Sequence, residues 1–321
     1  ERFITSDRPF SLGLQGLRDL LSVTELKRDD FERIFEIAFE IENKKLHKSS
    51  WCLLKNKAVV LAFFEPSTRT RLSFEIAARR LCAHPLSVVG EEASSIAKGE
   101  SFYDTIKIFD TLGDIVVIRH WMEGSAKYAA EIAENPVINA GDGRNNHPTQ
   151  SLIDLYTVKK LKGKVSGLSY AIIGDVRYAR TARSFLLSLI HFNPKSIYIV
   201  APPPLKPPQA LLERVRDSGI NVFENEDLED VLEIVDVAYV TRIQRERIPD
   251  PAEYERVRGS YRIDSKVLKK ANKELIILHP LPRLEELSTD VDNTPHAAYF
   301  EQVKSMVPIR MAVLAWSMGV L

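Results

Sequence analysis

The sequence predicts an α/β protein of two domains, each a mostly parallel sheet flanked by helices, the two joined by a long interdomain helix. Short β-branched runs alternate with segments of helical period along the chain. The alternation restarts after a long helical segment that begins near Thr149. The length, 321 residues, is roughly that of two ordinary domains.

From Asp29 to Asn43, Phe31, Ile34, Phe35, Ala38 and Ile41 recur at helical spacing with Glu32, Arg33, Glu36 and Glu40 between them, which predicts an amphipathic helix. Ala58–Phe64 is an unbroken apolar run of strand length, followed by a helix over Thr68–Leu81. Leu86–Val89, Asp114–His120 and Pro136–Asn139 predict further strands, with helices over Tyr103–Leu112 and Ser125–Ala133. Strands alternating with helices build a parallel sheet covered on both faces.

The long helix runs from Thr149 to about Leu161. Beyond it, strands are expected over Leu168–Gly174, Ser196–Ala201, Asn221–Glu224, Ala238–Arg242 and Leu275–His279. Helices are expected over Ala179–Leu189, Pro207–Ser218 and Leu228–Val235. This places one domain over 1–150 and a second over 151–304. A last helix, Pro308–Met318, carries Pro in its first turn. The terminal segment 305–321 is expected to pack back on the first domain.

Composition excludes several function classes. Lys+Arg and Asp+Glu are equal at 44 each, so no net positive charge recommends a nucleic-acid coat or a polybasic membrane anchor. Apolar runs such as Ala58–Phe64 fall far short of the roughly 18–20 residues a spanning helix needs. No charged-then-apolar leader opens the sequence, so a cytoplasmic protein is expected. The 7 histidines are scattered, with no HxxxH or CxxC, and no metal site is expected. Cys52 and Cys82 allow at most one disulfide, and the reduced state is the default expectation.

In parallel α/β domains, ligands gather at the carboxyl ends of strands beside helix N-termini. The loop Phe63 to Arg71 runs from a buried strand into a helix whose first turn holds Ser67, Thr68, Arg69, Thr70 and Arg71. Ser67 alone reads as an N-cap. A cation in a first turn opposes the helix dipole at a cost of about 0.3–1 kcal/mol, which makes sense where an anion binds. Amide N–H groups, hydroxyls and a guanidinium fork describe a phosphate site. Neither GxxxxGK[ST] nor GxGxxG occurs, so a common nucleotide cradle is not supported.

Three more loops follow strands in the first half. Glu91 to Ser101, with Ser94 and Lys98, reads by itself as a surface loop. Arg119 and His120 end a strand, where they could meet a ligand or be satisfied locally. Asn139 to Gln150 contains Gly141 and Gly143 for close backbone approach, then His147-Pro148 opening a helix with Gln150 in its first turn. His147 taken singly reads as a capping or core histidine. In the second half, Arg180 stands at another helix N-terminus, while Thr241-Arg242-Ile243-Gln244 and His279-Pro280-Leu281-Pro282-Arg283 end strands. Alternation sets Arg242 and Gln244 on one face, and the X-Pro bonds of the latter loop are candidates for cis. Arginine reads carboxylate as a bidentate fork, although each of these also fits a solvated surface residue.

Taken in order, these loops resemble the aspartate/ornithine carbamoyltransferase family nearly end to end. The resemblance rests on Phe64-Glu65-Pro66-Ser67-Thr68-Arg69-Thr70-Arg71, Ala93-Ser94-Ser95 with Lys98-Gly99-Glu100, Arg119-His120, Asn139 to Gly143 with His147-Pro148-Thr149-Gln150, Gly174-Asp175 with Arg180-Thr181, Thr241 to Gln244 and His279 to Arg283. It resembles the aspartate-using members. Ornithine-using members carry His-Cys-Leu-Pro where this chain has His279-Pro280-Leu281-Pro282, and a Ser-Met-Gly loop after the strand that here ends at Gln244. Ser317-Met318-Gly319 lies elsewhere and reads as coincidence. A cationic substrate side chain would also be repelled by Arg180 and Arg242.

The resemblance implies carbamoyl transfer from carbamoyl phosphate to the amine of L-aspartate, an early step of de novo pyrimidine biosynthesis, with no cofactor. It implies a carbamoyl-phosphate-binding first domain and an aspartate-binding second one. Phosphate would be held by Ser67, Thr68, Arg69, Thr70 and Arg119, with Ser94 and Lys98 supplied across the interface of a homotrimer. His147, Arg119 and Thr70 would polarise the carbamoyl oxygen. Gln150 and the Pro280–Leu281 carbonyls would hold the carbamoyl amide. Arg180, Arg242, Gln244 and Lys98, with Leu281 and Pro282, would hold aspartate. Family trimers often join zinc-containing regulatory chains, a partnership the sequence leaves open. Leu81-Cys82-Ala83, Trp121, Arg177, Ala179 and Arg144 depart from the family's usual residues, and Arg144, near His147, is the one expected to bear on affinity. A carbamoyltransferase for another amino acid and a noncatalytic anion-binding protein are the alternatives.

Overall fold

The structure, a computed structural model, describes residues 16–43, 52–90, 98–224 and 227–320. Among these, Asp29–Gly143 groups with residues before 26 and after 306 as one compact unit, and Arg144–Met306 with Leu26–Arg28 as a second.

In the first unit, β1 (Ala58–Phe63), β2 (His84–Val89), β3 (Ile115–His120) and β4 (Val137–Asp142) form a parallel sheet in the order β2-β1-β3-β4. The apolar runs of β1 and β3 are buried, as a two-sided sheet demands, whereas the edge strand β2 leaves Leu86 and Val89 exposed. Helices α1 (Arg28–Glu42), α2 (Thr68–Arg80), α3 (Phe102–Leu112) and α4 (Ser125–Ile132) accompany the strands. The expected apolar stripe of α1 is the buried one, at Phe31, Ile34, Phe35, Ala38 and Ile41. Val60, Ala62, Phe64, Ile106, Val116, Ile118 and Ala129 make one continuous core, each large member stabilising the fold by about 1.5–3 kcal/mol.

β4 runs three residues beyond its expected end, through Asp142. Polar residues carry the extension: Asn139 Oδ1 accepts from Gly141 N at 2.8 Å, and Asn139 Nδ2 donates to Asp142 Oδ1 at 2.9 Å. Contrary to the reduced expectation, Cys52 and Cys82 are joined by a disulfide that ties the segment preceding β1 to the turn following α2. Their Cα atoms stand 4.7 Å apart, within the span a bridge requires.

In the second unit, β5 (Ser169–Gly174), β6 (Ser196–Val200), β7 (Val222–Glu224), β8 (Val237–Thr241) and β9 (Ile276–Leu278) form a parallel sheet ordered β7-β6-β5-β8-β9. Its helices are α5 (Pro148–Lys162), α6 (Arg180–Leu189), α7 (Gln209–Asp217), α8 (Leu228–Ile234) and α9 (Pro251–Val257). The last was not anticipated; Asp250 caps it, accepting from Ala252 N. α5 is the expected long helix, and it buries every residue from Pro148 to Val158, polar ones included.

The terminal helix corrects the expectation of a start at Pro308. α10 runs over Tyr299–Ser317, with Pro308 inside it. Pro308 removes its own N–H from the ladder and crowds the carbonyl of Lys304, four residues back. The preceding turns are held by other contacts: Ser305 Oγ donates to Glu301 O at 3.0 Å, and Tyr299 and Gln302 are buried. Among the described residues, no helix is long and apolar enough to cross a membrane.

Candidate active-site residues

Both sheets contain a topological switch point, where successive connections leave in opposite directions and their loops open a crevice at the carboxyl ends of the strands. In the first sheet β1 connects outward to β2, and the chain then returns to β3 on the other side of β1. The loop after β1 and the end of β3 are therefore neighbours. Phe63 pairs with Arg119, and Phe64 N donates to Arg119 O at 2.8 Å. The structure thus brings Arg119 beside the 64–70 loop that sequence reasoning singled out.

Ser67 occupies the N-cap position of α2, yet its side chain makes no capping hydrogen bond. By contrast Ser101, at the N-cap of α3, accepts from Asp104 N. The first turn of α2 holds no acid and carries Arg69 and Arg71. Thr68 and Arg69 are exposed and Thr70 is buried. Behind them, Ser73 Oγ reaches Arg69 O and, at 3.0 Å, Thr70 O, and accepts from the fully buried Arg310, which lies 5.0 Å from the Phe74 ring. Arg119 donates to Glu65 Oε1 at 3.1 Å and to Ala140 O at 3.4 Å, which fixes its fork at the strand end.

Lys98 is exposed just before α3, while Ser94 lies outside the described residues. His120 is a packed core residue: it is buried, accepts from Met122 N at 3.0 Å, and meets the rings of Phe64 and Phe102 edge-on.

In the second sheet the switch lies at β5 and β8, whose carboxyl ends are adjacent through the Gly174–Thr241 pair. Gly174 has φ +102°, and a Cβ there would stand 2.3 Å from Thr241 O, so only glycine permits this approach. Asp175 follows it, fully buried, and accepts from Tyr178 N at 2.8 Å. Burial pushes its pKa up to about 6, against hydrogen bonds from the Tyr178, Gln244 and Arg177 amides and the charge of Arg247. Asp175 therefore clamps the loop that leads to Arg180 to the loop that holds Gln244. Its position was legible in the sequence and its role was not.

Arg180 opens α6, buried, in a first turn again free of acids. His147 occupies the N-cap position of α5, buried and without a side-chain capping bond, and its backbone N–H donates to Ser184 Oγ on α6 at 2.9 Å. Gln150, one turn on, is buried and donates to Asp154 Oδ1 at 2.7 Å. Arg242 follows β8, and both arms of its fork engage Glu246, a partner the sequence did not announce. A carboxylate thus already fills the geometry expected of a substrate carboxylate. On Glu246 burial acts upward, but the hydrogen bonds and charge of Arg242 prevail and hold its pKa below the ordinary value.

The third loop of this sheet, after β9, contains a cis Leu281–Pro282 bond, with Leu281 at φ +55°. Leu281 N donates to His279 Nδ1 at 2.8 Å, which puts the ring proton on Nε2, 2.8 Å from Glu286 Oε1. Burial lowers the His279 pKa despite Glu286, consistent with a neutral ring. Pro280 and Leu281 are part-buried and Pro282 is exposed. Arg144 is exposed, 5.8 Å from the Tyr178 ring. No group of three or more His, Cys, Asp or Glu suited to a metal occurs among the described residues.

Comparison with known proteins also divides the chain in two, with the boundary after α5. Residues 18–160 match the family model described as the carbamoyl-P binding domain of aspartate/ornithine carbamoyltransferase, and residues 166–317 match that of its Asp/Orn binding domain. The aspartate carbamoyltransferase catalytic subunit of Ignicoccus hospitalis is 63% identical over 302 residues, 94% of this chain and 99% of that protein. The corresponding subunit of Hyperthermus butylicus is 52% identical, covering 94% and 96% of the two chains. The catalytic subunit of M. jannaschii aspartate transcarbamoylase superposes with a TM-score of 0.84 at 42% identity, over 92% of this chain and 96% of that one. Aspartate transcarbamoylase from Trypanosoma cruzi, solved with carbamoyl phosphate and aspartate, gives 0.86 at 34% identity, over 96% and 97%. The chain belongs to the aspartate/ornithine carbamoyltransferase family.

Proposed function

We propose that this chain transfers the carbamoyl group of carbamoyl phosphate to the amine of L-aspartate, giving N-carbamoyl-L-aspartate and phosphate, and so serves de novo pyrimidine biosynthesis. The observation that carries the reading is the pair of acid-free helix N-termini, each bearing arginine at a sheet switch point. One suits a phosphate and the other a carboxylate.

Ser67, Thr68, Arg69, Thr70 and Arg119 hold the phosphate. His147, Arg119 and Thr70 donate toward the carbamoyl oxygen, where negative charge grows as the carbonyl carbon becomes tetrahedral. Gln150 and the Pro280 and Leu281 carbonyls hold the carbamoyl amide. Arg180, Arg242, Gln244 and Lys98, together with Leu281 and Pro282, hold aspartate. For Arg242 this means exchanging Glu246 for the substrate carboxylate. The neutral amine forms the new C–N bond, the C–O bond to phosphate breaks, and the proton lost by nitrogen leaves with the phosphate. Positioning and electrostatics carry most of the rate enhancement.

The working unit is a homotrimer in which Ser94 and Lys98 serve the neighbouring subunit's site. A separate zinc-containing regulatory chain is compatible with this reading. Formation of N-carbamoyl-L-aspartate by the purified chain is the direct test, and its absence would refute the assignment. Mixing Lys98→Ala with Arg69→Ala protein should restore activity on subunit exchange; no recovery would confine each site to one chain.

A further inference from the structure

Behind Gln150 lies a buried polar chain that the mechanism does not use. His279 N donates to Gln302 Oε1 at 2.7 Å, Gln302 Nε2 donates to Asp154 Oδ1 at 2.8 Å, and Gln150 Nε2 donates to the same oxygen at 2.7 Å. Asp154 is fully buried, Gln302 nearly so, and Gln150 largely so. Amide orientation is ordinarily ambiguous, but here it is anchored. A backbone N–H can only donate, so Gln302 must turn its oxygen to His279 and its nitrogen to Asp154. The Asp154 oxygen is then an acceptor, and Gln150 meets that acceptor with its nitrogen.

We propose that Asp154 is a positioning residue for specificity: it orients the Gln150 amide so that its oxygen meets the transferred group, and the site thereby selects an –NH2 at that place. The proposal rests on the assignment of Gln150 to the carbamoyl amide. Through Gln302 and His279, the same carboxylate is tied to Leu281, whose N–H is held by His279. Two contacts to one amide, from α5 and from the loop after β9, therefore share one anchor. A carbonyl oxygen in place of the –NH2 would face oxygen lone pairs, and a methyl would leave them without a donor.

Acetyl phosphate tests this, because it carries a methyl of similar size where carbamoyl phosphate carries –NH2. Turnover of carbamoyl phosphate with L-aspartate by the wild type tests the reaction itself, separately. In competition assays the wild type should bind acetyl phosphate about ten- to a hundredfold more weakly than carbamoyl phosphate. Equal affinities would overturn the proposal without any variant. Asp154→Ala should reduce that ratio by about tenfold while inorganic phosphate binding changes little. Asp154→Asn, which keeps one acceptor oxygen, should restore it. In a Gln150→Ala background, Asp154→Ala should leave the ratio unchanged. A ratio that Asp154→Ala leaves intact, or alters equally without Gln150, would overturn the proposal.

Discussion

The first unit presents part of its candidate substrate-binding set at the surface, whereas the second buries three of its own and half-buries Arg242 and Gln244. Thr68 and Arg69 are exposed, while His147, Gln150 and Arg180 have about 4–5% of their surface accessible. A surface anion site leans on the helix N-terminus and can lose a side chain without opening a cavity. A buried polar site must satisfy every donor and acceptor it holds, so it carries supporting residues such as Asp154, Asp175 and Gln302. Function and stability should therefore separate in the first unit and be entangled in the second.

Arg69→Ala should show the separation most strongly. Losing a fixed cation from the reacting phosphate should cost about 10³-fold in kcat/KM, or about 4 kcal/mol, with thermal stability nearly unchanged. Steady-state kinetics beside a melting curve decide it; near-normal kinetics, or a large drop in melting temperature, would break the contrast.

The first unit has its own stabilising device away from these groups. The Cys52–Cys82 bridge closes a 30-residue separation, and a loop of that size restrains the unfolded chain by about 3.6 kcal/mol. Its cost when lost should fall on stability, not on substrate affinity. Cys52→Ser, compared with the wild type in urea unfolding and in carbamoyl phosphate KM, tests this. A KM that rises with unfolding unchanged would show the bridge acting on the site instead.

A pH series sharpens the second half of the comparison. Burial raises Asp175 from 3.8 to about 6 in the folded chain. Between those values the native state binds a proton that the unfolded state has released, so stability falls as pH rises through the window. The loss from this group should be about 3 kcal/mol in full and complete about one unit above pH 6. Asp175→Asn removes the titration. The wild-type-minus-variant difference in unfolding free energy should therefore decline from pH 4 to 6, and a flat difference would contradict the assignment.

The sequence made the architecture legible wherever apolar period carried it: β1, β3, β5 and β8 lie within a residue of their expected limits. It failed where polar or tertiary contacts decided the outcome. The extension of β4 rests on Asn139 and Asp142 bonding to each other, α9 on a short capped turn, and the start of α10 on packing that overrides Pro308 as a start signal. Among site residues, Arg69 and Arg180 were readable because an arginine in a helix's first turn contradicts the helix dipole. Glu246, Asp154 and Gln302 were not readable, because their roles arise from pairings with Arg242, Gln150 and the His279 amide. Asp154 and Gln302 are 148 positions apart, and no local pattern announces that meeting.

The smallest expected effect is also the cleanest discriminator between a structural and a binding serine. Ser67 and Ser101 hold equivalent positions, at the N-caps of α2 and α3 with extended backbone. Ser101 spends its oxygen on Asp104 N, so Ser101→Ala should cost about 1 kcal/mol of stability and leave phosphate binding alone. Ser67 makes no such bond, so Ser67→Ala should change stability by less than about 0.5 kcal/mol. Its effect should appear instead as several-fold weaker binding of inorganic phosphate, the loss of one hydroxyl donor. Calorimetric titration with phosphate and urea unfolding on both variants give the four numbers. Equal stability losses would return Ser67 to an ordinary cap and shift the burden of phosphate recognition onto Arg69, Thr70 and Arg119.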